Sequence, residues 1–239
     1  MVVRVLVLGH SFVSRLDSFL SSRGIDNMYL TSTECTVELV ARRFLYAPEI
    51  TTPAVWRYLR DREPDMVLVD IGTNDLHSAT MSPSDIAYHL IDWAERVVRQ
   101  SGVKCVVFCQ ILHRTLTGQY RAVTSDFNHY VDEYNDLMAE LCDRATARLG
   151  SGCCIRWWSH PNIRIDPLRE HLIADGVHLT DLGQYRYFHS LRRAIWWWVK
   201  QTLRRQNPAQ VPVPQPMPTR RRRRRGRCGG RPSYTQGTM

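Results

Sequence analysis

Four side chains of the kinds used in acyl transfer occur in three separate stretches of the sequence. Ser11 follows an apolar run that ends at Gly9, and its hydroxyl is a candidate nucleophile. Asp175 and His178 are three positions apart, so the carboxylate can hold one imidazole nitrogen while the other nitrogen faces a third group. Asn74 carries an amide that can donate to a developing oxyanion. These residue types predict a nucleophile, a base, an orienting acid and an oxyanion donor.

Each stretch also has an ordinary structural interpretation. Ser11 can cap the N-terminus of a helix, where serine is preferred. The dipeptide Asp175-Gly176 and the stretch Gly72–Asp75 are both typical of turns. Taken singly, the structural interpretations are favoured, so only the relative placement of the three stretches can favour chemistry.

The apolar pattern predicts strands and helices that alternate along the chain. Short β-branched runs are typical of strands buried on both faces, and stretches with apolar residues at helical spacing lie between them. Strands are predicted over 2–8, 35–41, 66–71, 103–111 and 153–158, and helices over 11–22, 53–62, 82–100 and 125–149, with a last helix from Thr180 or Asp181. This alternation predicts the α/β class, as a three-layer α/β/α sandwich around a mostly parallel, doubly wound, five-stranded sheet.

The carboxyl edge of such a sheet is where open α/β folds place their ligand crevices. Ser11 follows the first predicted strand, and Asn74 follows the third. Asp175 and His178 lie in the loop that enters the last helix. Because all four converge on one edge, the sequence predicts a single site there.

The basic charge of the chain is concentrated in its C-terminal part. The 239 residues carry a net charge of +9, but residues 201–239 contain ten arginines and no acidic residue, which leaves about −1 on the rest. We therefore predict one domain over residues 1–203, followed over 204–239 by a Pro-rich linker and a disordered Arg-rich tail.

The cysteines and the apolar segments indicate an intracellular protein. The seven cysteines show no spacing typical of a disulfide framework or a metal site, so no metal is expected. Arg4 interrupts the first apolar run, which argues against a secretory signal, and no stretch reaches the ~18 apolar residues of a membrane span. A cytoplasmic or nuclear location is the expectation.

The three stretches together resemble the motifs of the SGNH (GDSL-type) hydrolases. Gly9-His10-Ser11 stands at the first sequence block of that family, Gly72–Asp75 at the third and Asp175–His178 at the fifth. The resemblance covers about residues 2–200. It implies the flavodoxin-like α/β fold of these enzymes.

The resemblance also implies roles for the residues and a class of substrate. Ser11 would be the nucleophile, His178 the general base and then acid, and Asp175 its orienting carboxylate. Asn74 would form the oxyanion hole with the Ser11 N–H. Members of the family hydrolyse esters and thioesters without a metal or organic cofactor, often with short acyl groups such as acetyl, so a small-molecule or acylated ester substrate is expected.

Two positions depart from the family pattern. His10 replaces the usual acidic residue before the serine, and we expect it to be structural or to lie at the rim of the site. The second block normally supplies a glycine N–H to the oxyanion hole, but residues 35–60 contain no glycine. The N–H of Tyr46 or Ala47 is the expected substitute. Loss of one such donor typically costs ~10²–10³ in rate.

Aromatic and basic residues near other strand ends are weaker candidates for the site. His113-Arg114 either line the pocket or belong to a solvated loop. Trp157, Trp158 and His160 either shape an acyl pocket or pack in the core.

An alternative function is a weakly catalytic or non-catalytic SGNH-fold module that binds nucleic acid. The segment Arg220–Arg231 suits phosphate backbones without reading sequence, and it equally suits an import receptor. SGNH-like domains also occur in the first reading-frame proteins of some LINE-type retrotransposons, and this chain is similar in pairing such a domain with a basic segment.

Truncation of the chain after Arg205 tests the role of the tail. If the arginines bind RNA, the full chain binds single-stranded RNA more tightly than the truncated chain. The log of its affinity then falls against log salt with a slope of about −0.7 per neutralised phosphate. Fluorescence anisotropy across a salt series measures both quantities. Equal affinity of the two chains would contradict tail-driven binding.

Overall fold

The computed structural model describes residues 2–42, 45–115, 121–163 and 171–206. Five strands form its single sheet: β1 Val3–Gly9, β2 Cys35–Ala41, β3 Met66–Asp70, β4 Cys105–Cys109 and β5 Cys154–Trp158. Of the linker and Arg-rich tail predicted over 204–239, residues 204–206 belong to the last helix, and residues 207–239 lie outside the described residues.

The sheet is parallel throughout, with the strand order β2-β1-β3-β4-β5. Every residue of β3 and β4 is buried, as expected for central strands covered on both faces. Most residues of β2, at one edge of the sheet, are only partly buried. The predicted α/β sandwich with five strands is therefore confirmed.

Helices cover both faces of the sheet: α1 Ser11–Ser22, α2 Pro53–Arg62, α3 Thr73–Ser78, α4 Pro83–Gln100, α5 Arg121–Arg148 and α6 Asp181–Gln206. One buried cluster joins α1 and α6 to one face, and a second joins α2, α4 and α5 to the other. Among the described residues, no helix is both long enough and apolar enough to cross a membrane.

The short helix α3 differs from the sequence prediction, which interpreted Gly72–Asp75 as a turn. Gly72 immediately precedes it with a φ of +108°, and the Leu76 N–H donates to the Gly72 carbonyl. Pattern analysis did not reveal a helix of six residues, because it spans less than two turns. The difference places Asn74 on a helix rather than in an irregular loop.

The position of β1 between β2 and β3 creates the crevice that the fold offers to a ligand. The chain passes from β1 to one neighbour and then to the other, so the connections diverge at the carboxyl edge. Gly9 lets the two strand ends approach, because a Cβ there would lie 2.8 Å from the Asp70 carbonyl oxygen and 2.4 Å from Val13 Cγ2. Ser11 is thereby held beside the chain segment that follows β3.

Replacing Gly72 with alanine tests the positive φ and the close approach at the start of α3. The new Cβ would lie 2.8 Å from Ile111 Cδ1, so Gly72→Ala adds a clash to the backbone cost. We expect a loss of about 2–4 kcal/mol in the free energy of unfolding. Gly102→Ala, at a φ of +79° in open space, should lose only about 1 kcal/mol. Urea unfolding measures both, and equal losses would contradict the close approach.

Candidate active site

Ser11 is the first residue of α1, and His10 alone separates it from the end of β1 at Gly9. At this position its N–H has no partner four residues earlier within the helix, so it can donate to a ligand. The apolar face of α1, which includes Val13 and Leu16, is buried against the sheet and fixes the helix that carries the serine. The hydroxyl is half-buried at the carboxyl edge of the sheet.

A compact turn holds Asp175 and His178 in a fixed relation. The Ile173 N–H donates to the His178 carbonyl over 2.8 Å, and an antiparallel bridge pairs Leu172 with Leu179. Inside this turn, Asp175 Oδ1 accepts from the N–H groups of Val177 and His178, at 2.8 and 2.9 Å. The two interpretations of Asp175–His178, as a turn and as an acid-base pair, are therefore compatible, because the turn is what holds the pair.

The structure brings the hydroxyl, the imidazole and the carboxylate together. His178 Nδ1 lies 2.7 Å from Asp175 Oδ2, and His178 Nε2 lies 3.2 Å from Ser11 Oγ. The His178 side chain is 23% exposed and that of Asp175 is 35% exposed. The site is therefore open enough for a substrate and geometrically able to pass a proton from serine to histidine.

Hydrogen bonds keep Asp175 in its charged form. Burial alone would raise the pKa of this carboxyl, but the His178 side chain and two backbone N–H groups donate to it and shift its pKa below the ordinary value. An ionised Asp175 fixes the proton of His178 on Nδ1, which leaves Nε2 free to accept from Ser11.

Asn74 lies near the segment that would carry the second block. Its Nδ2 donates to the Leu45 carbonyl over 3.4 Å, which leaves the other amide hydrogen for a ligand. The expected substitutes for the missing glycine are already engaged, because the Tyr46 N–H donates to Glu49 and the Ala47 N–H to Asp75. Neither N–H is therefore available in this arrangement, and that expectation is corrected.

His10, Asp70 and Tyr187 form a buried polar row beneath Ser11. The sequence did not reveal this row. His10 is buried, with Nδ1 3.3 Å from Ser11 Oγ and Nε2 3.8 Å from Asp70 Oδ1. The Tyr187 hydroxyl hydrogen-bonds the other oxygen of Asp70. The sequence contains a signal for one member of the row, since Asp70 is an acidic residue at the end of an otherwise apolar strand, but no signal that joins it to His10 or Tyr187. His10 is 1% exposed, so it lies behind the serine and not at the rim of the site.

Arg114 reaches the Gly72–Asp75 segment from the loop after β4. Its Nη2 donates to the hydroxyl oxygen of Thr73 over 3.2 Å, and its guanidinium stacks 4.0 Å above the Phe127 ring. His113 is instead paired with Asp132 at the surface. Arg114 thus borders the site, as the pocket-lining interpretation expects. His113 fits the other interpretation, that of a solvated loop.

The aromatic residues at the end of β5 and just after it pack within the protein rather than lining a pocket. Trp157 contacts the core cluster that contains Tyr134, and the Trp158 indole N–H donates to Ser190 Oγ over 3.1 Å. His160 is buried, with Nδ1 2.8 Å from the same hydroxyl. Their contacts favour the core-packing interpretation.

Comparison of the sequence with models of protein families gives one match. The model of the GDSL-like lipase/acylhydrolase family matches residues 15–186. The chain belongs to this family. The match begins after Ser11, so the assignment of that residue rests on the block motif and the geometry. The resemblance to the SGNH hydrolases is confirmed, and family membership supports ester hydrolysis in general.

Solved structures show the same fold at low sequence identity. A lipase/acylhydrolase from Enterococcus faecalis has a TM-score of 0.58 and 14% identity, covering 81% of this chain and 95% of its own. A carbohydrate esterase of family 3 from Talaromyces cellulolyticus has a TM-score of 0.57 and 15% identity, and the alignment covers 83% of this chain and 99% of the esterase. An acetyl esterase variant solved with an acetate ion has a TM-score of 0.57 and 14% identity, and the alignment covers 84% of this chain and 99% of the esterase. No curated protein matches the sequence.

The buried carboxyl of Asp75 predicts how stability depends on pH. Burial raises its pKa from 3.8 to about 6, so the folded protein holds this proton at pH values where the unfolded chain has lost it. Stability therefore falls as pH rises through this window. Between pH 4 and 7, wild type should lose about 2 kcal/mol more than Asp75→Asn, which keeps an oxygen for the Ala47 N–H.

Urea unfolding at the two pH values measures this difference. Asp143→Asn, which changes an exposed aspartate of α5, is the control and should follow wild type. A pH dependence of Asp75→Asn equal to that of wild type would contradict the buried-proton assignment.

Proposed function

We propose that this protein is a serine esterase of the SGNH type that hydrolyses short-chain acyl esters. Ser11 is the nucleophile, His178 the general base and acid, and Asp175 the carboxylate that orients it. Asn74 and the Ser11 N–H stabilise the oxyanion. The single observation that carries the proposal is the pair of contacts, 3.2 Å and 2.7 Å, that links Ser11 through His178 to Asp175.

The acylation step follows from these contacts. The Ser11 proton moves to His178 Nε2 as Ser11 Oγ bonds to the acyl carbon, and the carbonyl oxygen becomes an oxyanion. The oxyanion then reforms the carbonyl, the bond to the leaving oxygen breaks, and His178 gives its proton to the departing alcohol. Asp175 stabilises the imidazolium between these transfers.

Deacylation repeats the sequence with water. His178 takes a proton from water as the water oxygen bonds to the acyl carbon. The bond to Ser11 Oγ breaks, the proton returns to that oxygen, and the carboxylic acid leaves. No redox or metal-dependent step is required by this scheme.

A small cavity borders the residue that follows Ser11 and the residue that precedes Asn74 in the chain. Phe12 and Thr73, the chain neighbours of Ser11 and Asn74, line it together with Leu112 and Tyr187. Its volume is about 10 Å³, which is room for one water-sized group. Its lining also includes the polar side chains of Asp70 and Gln110, and its size admits a small group but not a long acyl chain. The fold similarity to an acetyl esterase is in keeping with a short acyl group.

The engaged N–H groups of Tyr46 and Ala47 predict a modest turnover. With two oxyanion donors instead of three, we expect a rate ~10²–10³ below that of a complete oxyanion hole. A rate this low is also what the alternative function, a weakly catalytic module, predicts. In that case ester hydrolysis would be too slow to be the main role of the protein.

Hydrolysis of p-nitrophenyl acetate by variants tests the proposal. We expect Ser11→Ala and His178→Ala each to lower kcat/KM by ~10³ or more, because nucleophile and base act as a unit. Ser18→Ala, which changes an exposed serine on the same helix, is the matched control and should keep wild-type turnover. Equal turnover in all four proteins would exclude the serine mechanism.

A further inference from the structure

Ser11 Oγ lies between two imidazole rings. His178 Nε2 is 3.2 Å from it on the exposed side, and His10 Nδ1 is 3.3 Å from it on the buried side. The His178 side chain is 23% exposed, whereas that of His10 is 1% exposed. The proposed mechanism uses only His178, so the second ring needs its own explanation.

The hydrogen-bonding capacity of a neutral imidazole decides what His10 offers to the serine. Such a ring carries one N–H, either on Nδ1 or on Nε2. Within the described part of the chain, Nε2 has no hydrogen-bond partner, since Asp70 Oδ1 at 3.8 Å is too distant. A buried N–H without an acceptor is more costly than a hydrogen-bonded one. The proton therefore belongs on Nδ1, where Ser11 Oγ can accept it.

The hydrogen-bonding capacity of the Ser11 hydroxyl agrees with this assignment of the His10 proton. A hydroxyl donates one hydrogen bond and accepts up to two. His178 Nδ1 keeps its proton and donates a hydrogen bond to Asp175, so Nε2 of the neutral ring can only accept, and the Ser11 O–H must point toward it. The remaining lone pairs of Ser11 Oγ then face the buried ring.

His10 is also unsuited to compete as a base. Burial, with smaller contributions from the charges of Arg114 and His178, lowers its pKa to about 3. The ring therefore stays neutral when Ser11 gives up its proton.

The packing around His10 holds the ring in place. Its centroid is 5.4 Å from that of Phe12 in an edge-on arrangement, and Phe12 in turn packs against His178 and Tyr187. Asp70, which Tyr187 hydrogen-bonds, lies behind the ring. The nitrogen that faces Ser11 is thus fixed by side chains from three elements, β3, α1 and α6.

We propose that His10 is a positioning residue, which donates its Nδ1–H to Ser11 Oγ and thereby directs the Ser11 hydroxyl proton toward His178. The inference rests on the proposed function, because it assigns a role in the same site. It gives the residue at position 10 a purpose that an acidic side chain could not fulfil in the same way, since an ionised carboxylate has no proton to donate.

Two amide variants separate a donor role from a merely structural one. An asparagine amide occupies the place of Nδ1 and can still donate to Ser11, whereas a glutamine amide occupies the place of Nε2 and faces Asp70. We expect His10→Asn to keep kcat for p-nitrophenyl acetate within about threefold of wild type. His10→Gln should lower kcat about tenfold with little change in KM. Equal losses in both variants, or no loss in His10→Gln, would overturn the inference.

Nuclear magnetic resonance of the unmodified protein provides a readout that does not depend on turnover. Long-range ¹H–¹⁵N spectra of histidine-labelled protein identify which ring nitrogen carries the proton, and the signals missing in His10→Gln assign His10. We expect the Nδ1–H form at pH 7, and the Nε2–H form would overturn the inference. If wild type hydrolyses no ester while His10 shows the Nδ1–H form, the proposed function fails and the contact with Ser11 stands.

Discussion

The pairing of β1 with β3 in the middle of the sheet determines where the chain can form a site. In this register Gly9 lies opposite Asp70, so the segments that follow the two strands leave the sheet side by side. Ser11 and Asn74 come from these two segments, and β1 and β3 are almost entirely buried. Separating Ser11 from Asn74 would therefore require separating these two central strands, and the burial of their apolar side chains opposes that.

Differences in burial assign different roles to two rings that are equally close to the serine. Burial lowers the pKa of His10 to about 3, whereas His178 is partly exposed and paired with an ionised carboxylate. Burial also raises the pKa of Asp70, although the hydrogen bond from Tyr187 acts in the opposite direction. Environment, rather than residue type, decides which histidine can take the proton.

Much of the fold and of the proposed triad could be predicted from the sequence, because both depend on local patterns. Five short strand-forming stretches specify five strands, and the spacing of Asp175 and His178 specifies a turn that joins them. The buried row of His10, Asp70 and Tyr187 could not be predicted, because its members are brought together only by packing between distant segments. The same reason explains the wrong expectation for Tyr46 and Ala47, whose N–H groups are engaged by Glu49 and Asp75. The roles of Arg220–Arg231 and the cellular location stay predictions.

The proposed ester hydrolysis requires Ser11 to be the nucleophile, and the site of covalent modification tests this directly. A fluorophosphonate reacts with an activated serine, and peptide mass spectrometry of the modified protein identifies the residue that carries the adduct. We predict a single adduct on Ser11, formed in wild type and absent in His178→Ala. An adduct on another residue, or no adduct after prolonged incubation of the folded protein, would contradict the account.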